Sequence, residues 1–94
     1  LDVIGAYDND LLVGLIRTIG DSNTIIYIQD ILVLKEYQRQ GIGKHLIKII
    51  VDKYADIRQI CLMTDNSDKT RKFYESLGLI SYDKADTVGF MVKK

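Results

Sequence analysis

Residues 38–44 read QRQGIGK: two glycines one position apart, Gly41 and Gly43, set between the cations Arg39 and Lys44. An apolar run ends just before this stretch and an amphipathic pattern begins just after it, so the glycines fall where a strand hands over to a helix. The first turn of a helix carries unpaired backbone N–H groups and about half a positive charge. When the loop before it lets a ligand come close to the backbone, those groups converge on an anion, and phosphate suits them best. Gln40, Gly41, Ile42, Gly43 and Lys44 would present amides, with the charges of Arg39 and Lys44 alongside. A Cβ at position 41 or 43 would block that approach or forbid the turn. The plainer alternative is a glycine-eased turn that holds nothing. Neither common nucleotide motif fits: GxxxxGK[ST] is absent, and GxGxxG fails because Leu46 stands where the third glycine belongs.

The elements that must position this loop are legible on both sides of it. VIGAY (residues 3–7) and LVGLIRTI (12–19) are short apolar runs separated by Asp8, Asn9 and Asp10, which read as a hairpin loop. GDSN (20–23) is a second turn and opens onto TIIYIQDILVL (24–34), so three segments form an antiparallel meander. After the glycines, Ile42, Leu46, Ile47, Ile50, Val51 and Tyr54 recur at helical spacing, while Lys44, His45, Lys48 and Asp52 take the opposite face. ICLM (60–63) is a continuous apolar run that suits a strand buried on both faces. Residues 24–63 therefore predict strand, helix, strand, a right-handed βαβ crossover. TDNSDKTRKFYESLG (64–78) predicts a second helix, capped by Ser67 or Asp68, ended by Gly78, with Phe73, Tyr74 and Leu77 on its apolar face. LISY (79–82) and VGFMV (88–92) then predict a closing hairpin. The fold class is α/β: a central mixed, mostly antiparallel sheet with one βαβ crossover and two flanking helices, in a single domain over residues 1–94.

Bulk composition narrows the function. At 94 residues, 47% hydrophobic and 28% charged, the chain is an ordinary globular domain rather than a disordered one. Thirteen basic and thirteen acidic side chains cancel, so no global field draws it to nucleic acid or to a membrane. Cys61 is the only cysteine, which excludes an internal disulfide and a CxxC metal site and fits a cytoplasmic location. No run approaches the roughly 18 apolar residues of a membrane span. The chain begins at Leu1, already in a strand pattern, as a fragment or a protein without disordered ends would. An edge strand at residues 1–7 would invite pairing, so a homodimer is expected.

The stretch QRQGIG resembles the Q/R-x-x-G-x-G/A signature of the GNAT superfamily of acyl-CoA-dependent N-acetyltransferases. ILVLKEYQRQGIGKHLI is similar to that family's fourth strand, pyrophosphate loop and following helix, and FYESLGL (73–79) resembles its F-Y-x-x-x-G-F element. The resemblance implies transfer of an acetyl group from acetyl-CoA to a small-molecule or peptide amine, with no metal. It assigns backbone groups of Ile31, Leu32 and Val33 to the pantetheine arm, and Arg39, Gln40, Gly41, Ile42, Gly43 and Lys44 to the pyrophosphate. Tyr74 would be the general acid that protonates the departing CoA thiolate. Without the motif, Tyr74 reads as a core aromatic beside Phe73.

Asp30 interrupts an otherwise apolar strand just before the pantetheine segment, where the family often carries the acid that deprotonates the amine; a bulge or a solvated face would also account for it. Glu36 and Asp65 are further candidates. The asparagine that often bonds the cofactor arm maps onto Ser67, with Asn66 one residue away. Lys35 replaces a frequent proline, and the family's first strand and first helices, which form much of the acceptor pocket, have no counterpart. A non-catalytic acyl-CoA-binding or regulatory module, or a fragment of a longer acetyltransferase, therefore stands as the alternative. His45 reads as solvated, Cys61 as packed, and Tyr7, Tyr27 and Tyr82 as strand aromatics available to an acceptor cleft.

Overall fold

The computed structural model describes residues 2–94, so the part of the expected edge strand at Leu1 lies outside the described residues. Two compact units are present, Leu1–Met63 and Thr64–Lys94. In the first, β1 (Asp2–Asp8), β2 (Leu11–Gly20) and β3 (Ile25–Val33) form the antiparallel meander. A 3-10 turn at Lys35–Tyr37 leads to α1 (Ile42–Lys53), and β4 (Gln59–Cys61) returns parallel to β3. The sheet order is β1-β2-β3-β4, mixed and mostly antiparallel, with β3–α1–β4 as its crossover.

Local chemistry explains the corners. Asn9 takes φ +55°, the left-handed conformation that a two-residue hairpin turn requires and that asparagine tolerates. The carboxylate of Asp21 accepts from the backbone N–H groups of Asn23, Thr24 and Ile25 at 2.9, 2.7 and 3.2 Å, which closes the second turn and launches β3. These bonds hold the Asp21 carboxyl far below the usual carboxylate range, the Thr24 hydroxyl contributing most.

One core serves this unit. Val13, Ile16, Ile26 and Ile28 from the sheet meet Leu46, Ile47 and Ile50 from α1, all buried. The apolar stripe of α1 is narrower than its sequence suggests, because Val51 is 45% exposed. A second correction concerns β4. Only Gln59, Ile60 and Cys61 pair, and Ile60, Cys61 and Leu62 are half-buried while Met63 is exposed. The run is therefore a short strand at the end of the described sheet rather than one buried on both faces.

The second unit contains α2 (Asp68–Ser76). Ser67 caps it by accepting from the Thr70 N–H at 3.2 Å, and Gly78 follows its end at φ +93°. Its apolar face is incompletely covered, with Phe73 exposed. The closing hairpin predicted over residues 79–92 does not form. The carbonyls of Ser81 and Tyr82 accept from Lys84, Ala85 and Thr87 in successive turns, and no strand extends from those turns on either side. Val88, Phe90, Met91 and Val92 are left exposed without strand structure.

Truncation of Ile50 to Ala should cost about 2–5 kcal/mol, as for a fully enclosed aliphatic side chain. Val51→Ala, one position on, should stay within about 0.5 kcal/mol. Urea denaturation of the two variants side by side checks which face of α1 holds the core.

Candidate active site

The loop between β3 and α1 is shaped by its backbone. Tyr37 closes the 3-10 turn, and its hydroxyl donates to Asp8 Oδ2 at 2.7 Å, tying the turn to the β1–β2 hairpin. That bond, with a smaller contribution from burial, pushes the phenol up from its ordinary value. Next come Arg39 at φ +66° and Gly41 at φ +82°, with Gln40 between them at negative φ. Alternation of hand along three residues turns successive N–H groups toward one side, a concavity suited to an anion. A left-handed arginine is uncommon, and such strain tends to persist where a ligand site needs it.

The two glycines differ in what they supply. A Cβ on Gly41 would meet nothing within 4 Å, so its requirement is the positive φ rather than space. Gly43 is buried in the first turn of α1. A third glycine matters as well. A Cβ on Gly14 of β2 would stand 3.1 Å from Ile42 Cγ2 and 3.1 Å from the Leu32 carbonyl, so Gly14 lets the helix start seat closely on the sheet.

The first helical bond runs from His45 N–H to the Gly41 carbonyl at 2.9 Å, which leaves the amides of Ile42, Gly43 and Lys44 without intrahelical acceptors. No side chain caps this end, and no acid lies in the first turn. Helices usually soften that end with an acid or a capping oxygen; here Lys44 adds a further positive charge. The arrangement suits a bound anion such as phosphate.

The strand leading in has an open edge. β3 pairs with β4 only at Ile25, Ile26 and Tyr27, and then the parallel strands part. The Leu34 N–H donates to Val13 of β2 at 2.8 Å, so the carbonyl across the same peptide plane, that of Val33, faces away from β2. Alternation puts Ile31 on the open edge with Val33, while the backbone groups of Leu32 turn toward Leu15 of β2. Of the three residues expected to meet the pantetheine arm, Ile31 and Val33 therefore present backbone groups to the gap.

Asp30 adjoins a bulge: the register passes from Arg17–Asp30 to Thr18–Ile28, leaving Gln29 as the extra residue. Its carboxylate is ion-paired with the Arg17 Nη2 directly across the strands. Both side chains are more than a third exposed, so the pair adds no more than about 1 kcal/mol to stability. Arg17 Nε is buried without an acceptor. Glu36 lies exposed on the 3-10 turn.

The second unit carries the remaining candidates. Asn66 Oδ1 accepts from Arg71 Nε at 2.7 Å, and Ser67 is engaged as the helix cap. Asp65 accepts from the Thr70 hydroxyl at 3.2 Å, and its carboxyl is held low, chiefly by the Ser67 hydroxyl. Tyr74 is half-buried, edge-on to Phe73 with ring centroids 5.0 Å apart. Burial first, and the Asp65 charge second, push its phenol up. The hydroxyl thus stays protonated at neutral pH, the state a proton donor needs.

Sequence reasoning missed Arg17, Tyr37 and Gln38, whose side chain donates to the Val33 carbonyl at 3.1 Å. Gln38 opens the recognised motif, so a signal existed; the Arg17–Asp30 pairing depends on strand register and had none. An open cavity of about 300 Å³ lies elsewhere, at the C-terminal end of α1 beside Asp2, Thr18, Lys53 and Tyr54, and takes in no candidate residue. No group of His, Cys, Asp or Glu able to hold a metal occurs among the described residues.

Comparison with known proteins bears on the family and the fold. The Acetyltransferase (GNAT) domain family matches residues 2–88. A GNAT-family acetyltransferase from Streptococcus pneumoniae superposes with a TM-score of 0.89 at 36% identity, covering 98% of this chain and 70% of its own. A Gibberella zeae protein, provisionally assigned as an acetyltransferase, is 32% identical over 79% of this chain and 42% of its own length. An uncharacterized N-acetyltransferase from Gracilaria tenuistipitata var. liui is 33% identical over 74% of this chain and 38% of its own length. The chain therefore spans less than half the length of these two curated relatives.

If Gly41 is kept for its left-handed backbone, Gly41→Ala should lower stability by about 1–2 kcal/mol although nothing blocks the methyl group. Arg39→Gly should change stability by less than about 0.5 kcal/mol, since relief at positive φ offsets glycine's extra chain entropy. Chemical denaturation of both variants tests the pair.

Proposed function

The chain belongs to the GNAT acetyltransferase family, and on that premise we propose that it transfers an acetyl group from acetyl-CoA to a primary amine. The observation that carries this reading is the uncapped, cationic start of α1 beside the unpaired edge of β3. It supplies a seat for pyrophosphate and, next to it, a strand edge for an arm that carries amides. The N-acetyltransferase name of the Gracilaria relative supports nitrogen as the acceptor atom. The acceptor is a small-molecule or peptide amine.

In the reaction, the neutral amine attacks the thioester carbonyl, a C–N bond forms, the C–S bond breaks, and the amine proton and the thiolate must both be managed. The residues divide that work. Amides of Gln40, Gly41, Ile42, Gly43 and Lys44, with the cations of Arg39 and Lys44, hold the pyrophosphate. Ile31 and Val33 align the arm. Positioning of this kind contributes by removing the entropy of bringing two reactants together. Tyr74 holds the proton destined for the thiolate, and Asn66 lends its amide to the arm. Asp30 accepts the amine proton, directly or through water. Reducing conditions in the cytoplasm and a homodimer formed through the β1 edge complete the reading.

One observation favours a second reading, a non-catalytic acyl-CoA-binding module. The Asp30 carboxylate is already engaged by Arg17 and would have to give up that ion pair to reach an amine.

Calorimetric titration should show acetyl-CoA binding tightly, and a pantetheine analogue without the pyrophosphate binding far more weakly. Equal affinities for the two would remove the phosphate seat from the account. Tyr74→Phe should reduce kcat by about 10²–10⁴-fold with CoA affinity unchanged; unchanged turnover would remove Tyr74 as the acid, and CoA binding without turnover in the wild type would favour the binding module. Because the folded phenol titrates above its ordinary value near 10, the enzyme should keep its proton donor, and show no alkaline loss from this group, until the pH passes that value. A steady-state pH profile reads this out.

A further inference from the structure

The geometry points to Gln38 as a built-in competitor for the pantetheine arm: its side-chain amide occupies the Val33 carbonyl that the arm would use. This inference rests on the acetyl-CoA reading and adds a control element to it.

Three observations carry it. The Val33 carbonyl faces the open edge of β3, because the Leu34 N–H on the other side of the same peptide plane is committed to Val13 at 2.8 Å. β4 has already parted from β3 at this level, so no strand neighbour satisfies that oxygen. Gln38 Nε2 donates to it at 3.1 Å. A carboxamide N–H on the unpaired carbonyl of a strand edge is the bond that an arm lying along the edge would make with its own amide. The chain thus supplies, five residues downstream, a group of the same chemistry as the ligand's.

Exposure makes the contact reversible. Gln38 is exposed, and when its amide swings away it finds water at little cost. The free protein is then divided between a closed edge and an open one, and the apparent affinity for the arm is lowered by the open fraction. Binding of the pyrophosphate at Arg39 and Gly41, the residues immediately following, gives the ligand a foothold before the edge opens. The device favours molecules that carry both parts over those with an amide arm alone.

The test compares wild type with Gln38→Leu, which keeps bulk and removes the donor, and with Gln38→Ala. Acetyl-CoA and adenosine 3′,5′-bisphosphate, which lacks the arm, are titrated against each. Removal of the competitor should tighten acetyl-CoA binding about two- to tenfold in both variants, the range that one neutral hydrogen bond spans. Adenosine 3′,5′-bisphosphate should bind all three proteins alike. Thermal unfolding without ligand confirms that each variant is folded. Weaker acetyl-CoA binding in both variants would make Gln38 a support for the loop, and unchanged binding would make its bond incidental; either overturns the proposal while leaving the acetyl-CoA reading intact. Failure of the wild-type protein to bind acetyl-CoA at all removes that reading, and the competitor with it.

Discussion

Backbone polar groups that leave a regular element must find another partner, and the site is organised around two sets of them. β3 loses β4 as a neighbour beyond Tyr27, exposing carbonyl and N–H groups along the edge that carries Ile31 and Val33. A few residues later α1 starts with three amides unmatched and no side chain to cap them. Ordinary domains conceal both conditions, the first with another strand and the second with a serine or an aspartate. Here they sit in sequence, joined by a turn that the Tyr37–Asp8 bond pins to the hairpin of β1 and β2. A ligand with an amide arm and a diphosphate has the complementary groups in the same order.

Electrostatics reinforces the polarity of that arrangement without any global charge. The chain is neutral as a whole, yet the start of α1 lacks the acid that usually offsets the helix dipole and carries Lys44 in its place. Fields of this kind act over roughly one Debye length. They favour an anion seated in the loop and exert little pull on a distant polyanion. The same economy is seen in α2, whose opposite fate is instructive: Ser67 caps its first turn, Asp65 and Thr70 bond around it, and Asp68 follows, so its N-terminus is satisfied internally. Two helices of one short chain thus treat the same end in contrary ways.

Much of this could be read from residue order, because the signals were local. Asn9, Gly41 and Gly78 mark the left-handed corners, and the spacing from Ile42 to Ile50 sets the helix face. Properties that depend on distant residues were less accessible. VGFMV has the composition of a strand, yet it forms none, because pairing needs a partner strand and residues 79–82 do not supply one. The run ICLM encodes neither the half-buried state of Cys61 nor the place of β4 at the end of the described sheet. The Arg17–Asp30 pair depends on the register of β2 against β3, at the last pair before Gln29 is extruded. Gln38 is a letter of the motif, but its bond to the Val33 carbonyl depends on the direction of that carbonyl, which residue order does not give.

The brevity of the parallel pairing has a consequence in time. Antiparallel β1, β2 and β3 are consecutive and can zip together from their turns, but the β3–β4 ladder joins Ile25, Ile26 and Tyr27 to Gln59, Ile60 and Cys61 across the whole of α1. Contacts so far apart in sequence form late. During synthesis the glycine loop leaves the ribosome well before the short strand that bounds the gap beside it. Until that strand arrives, β3 is an unguarded edge along its full length, open to any passing chain. The nascent protein is therefore most exposed to mispairing in the interval when it most resembles its finished binding site.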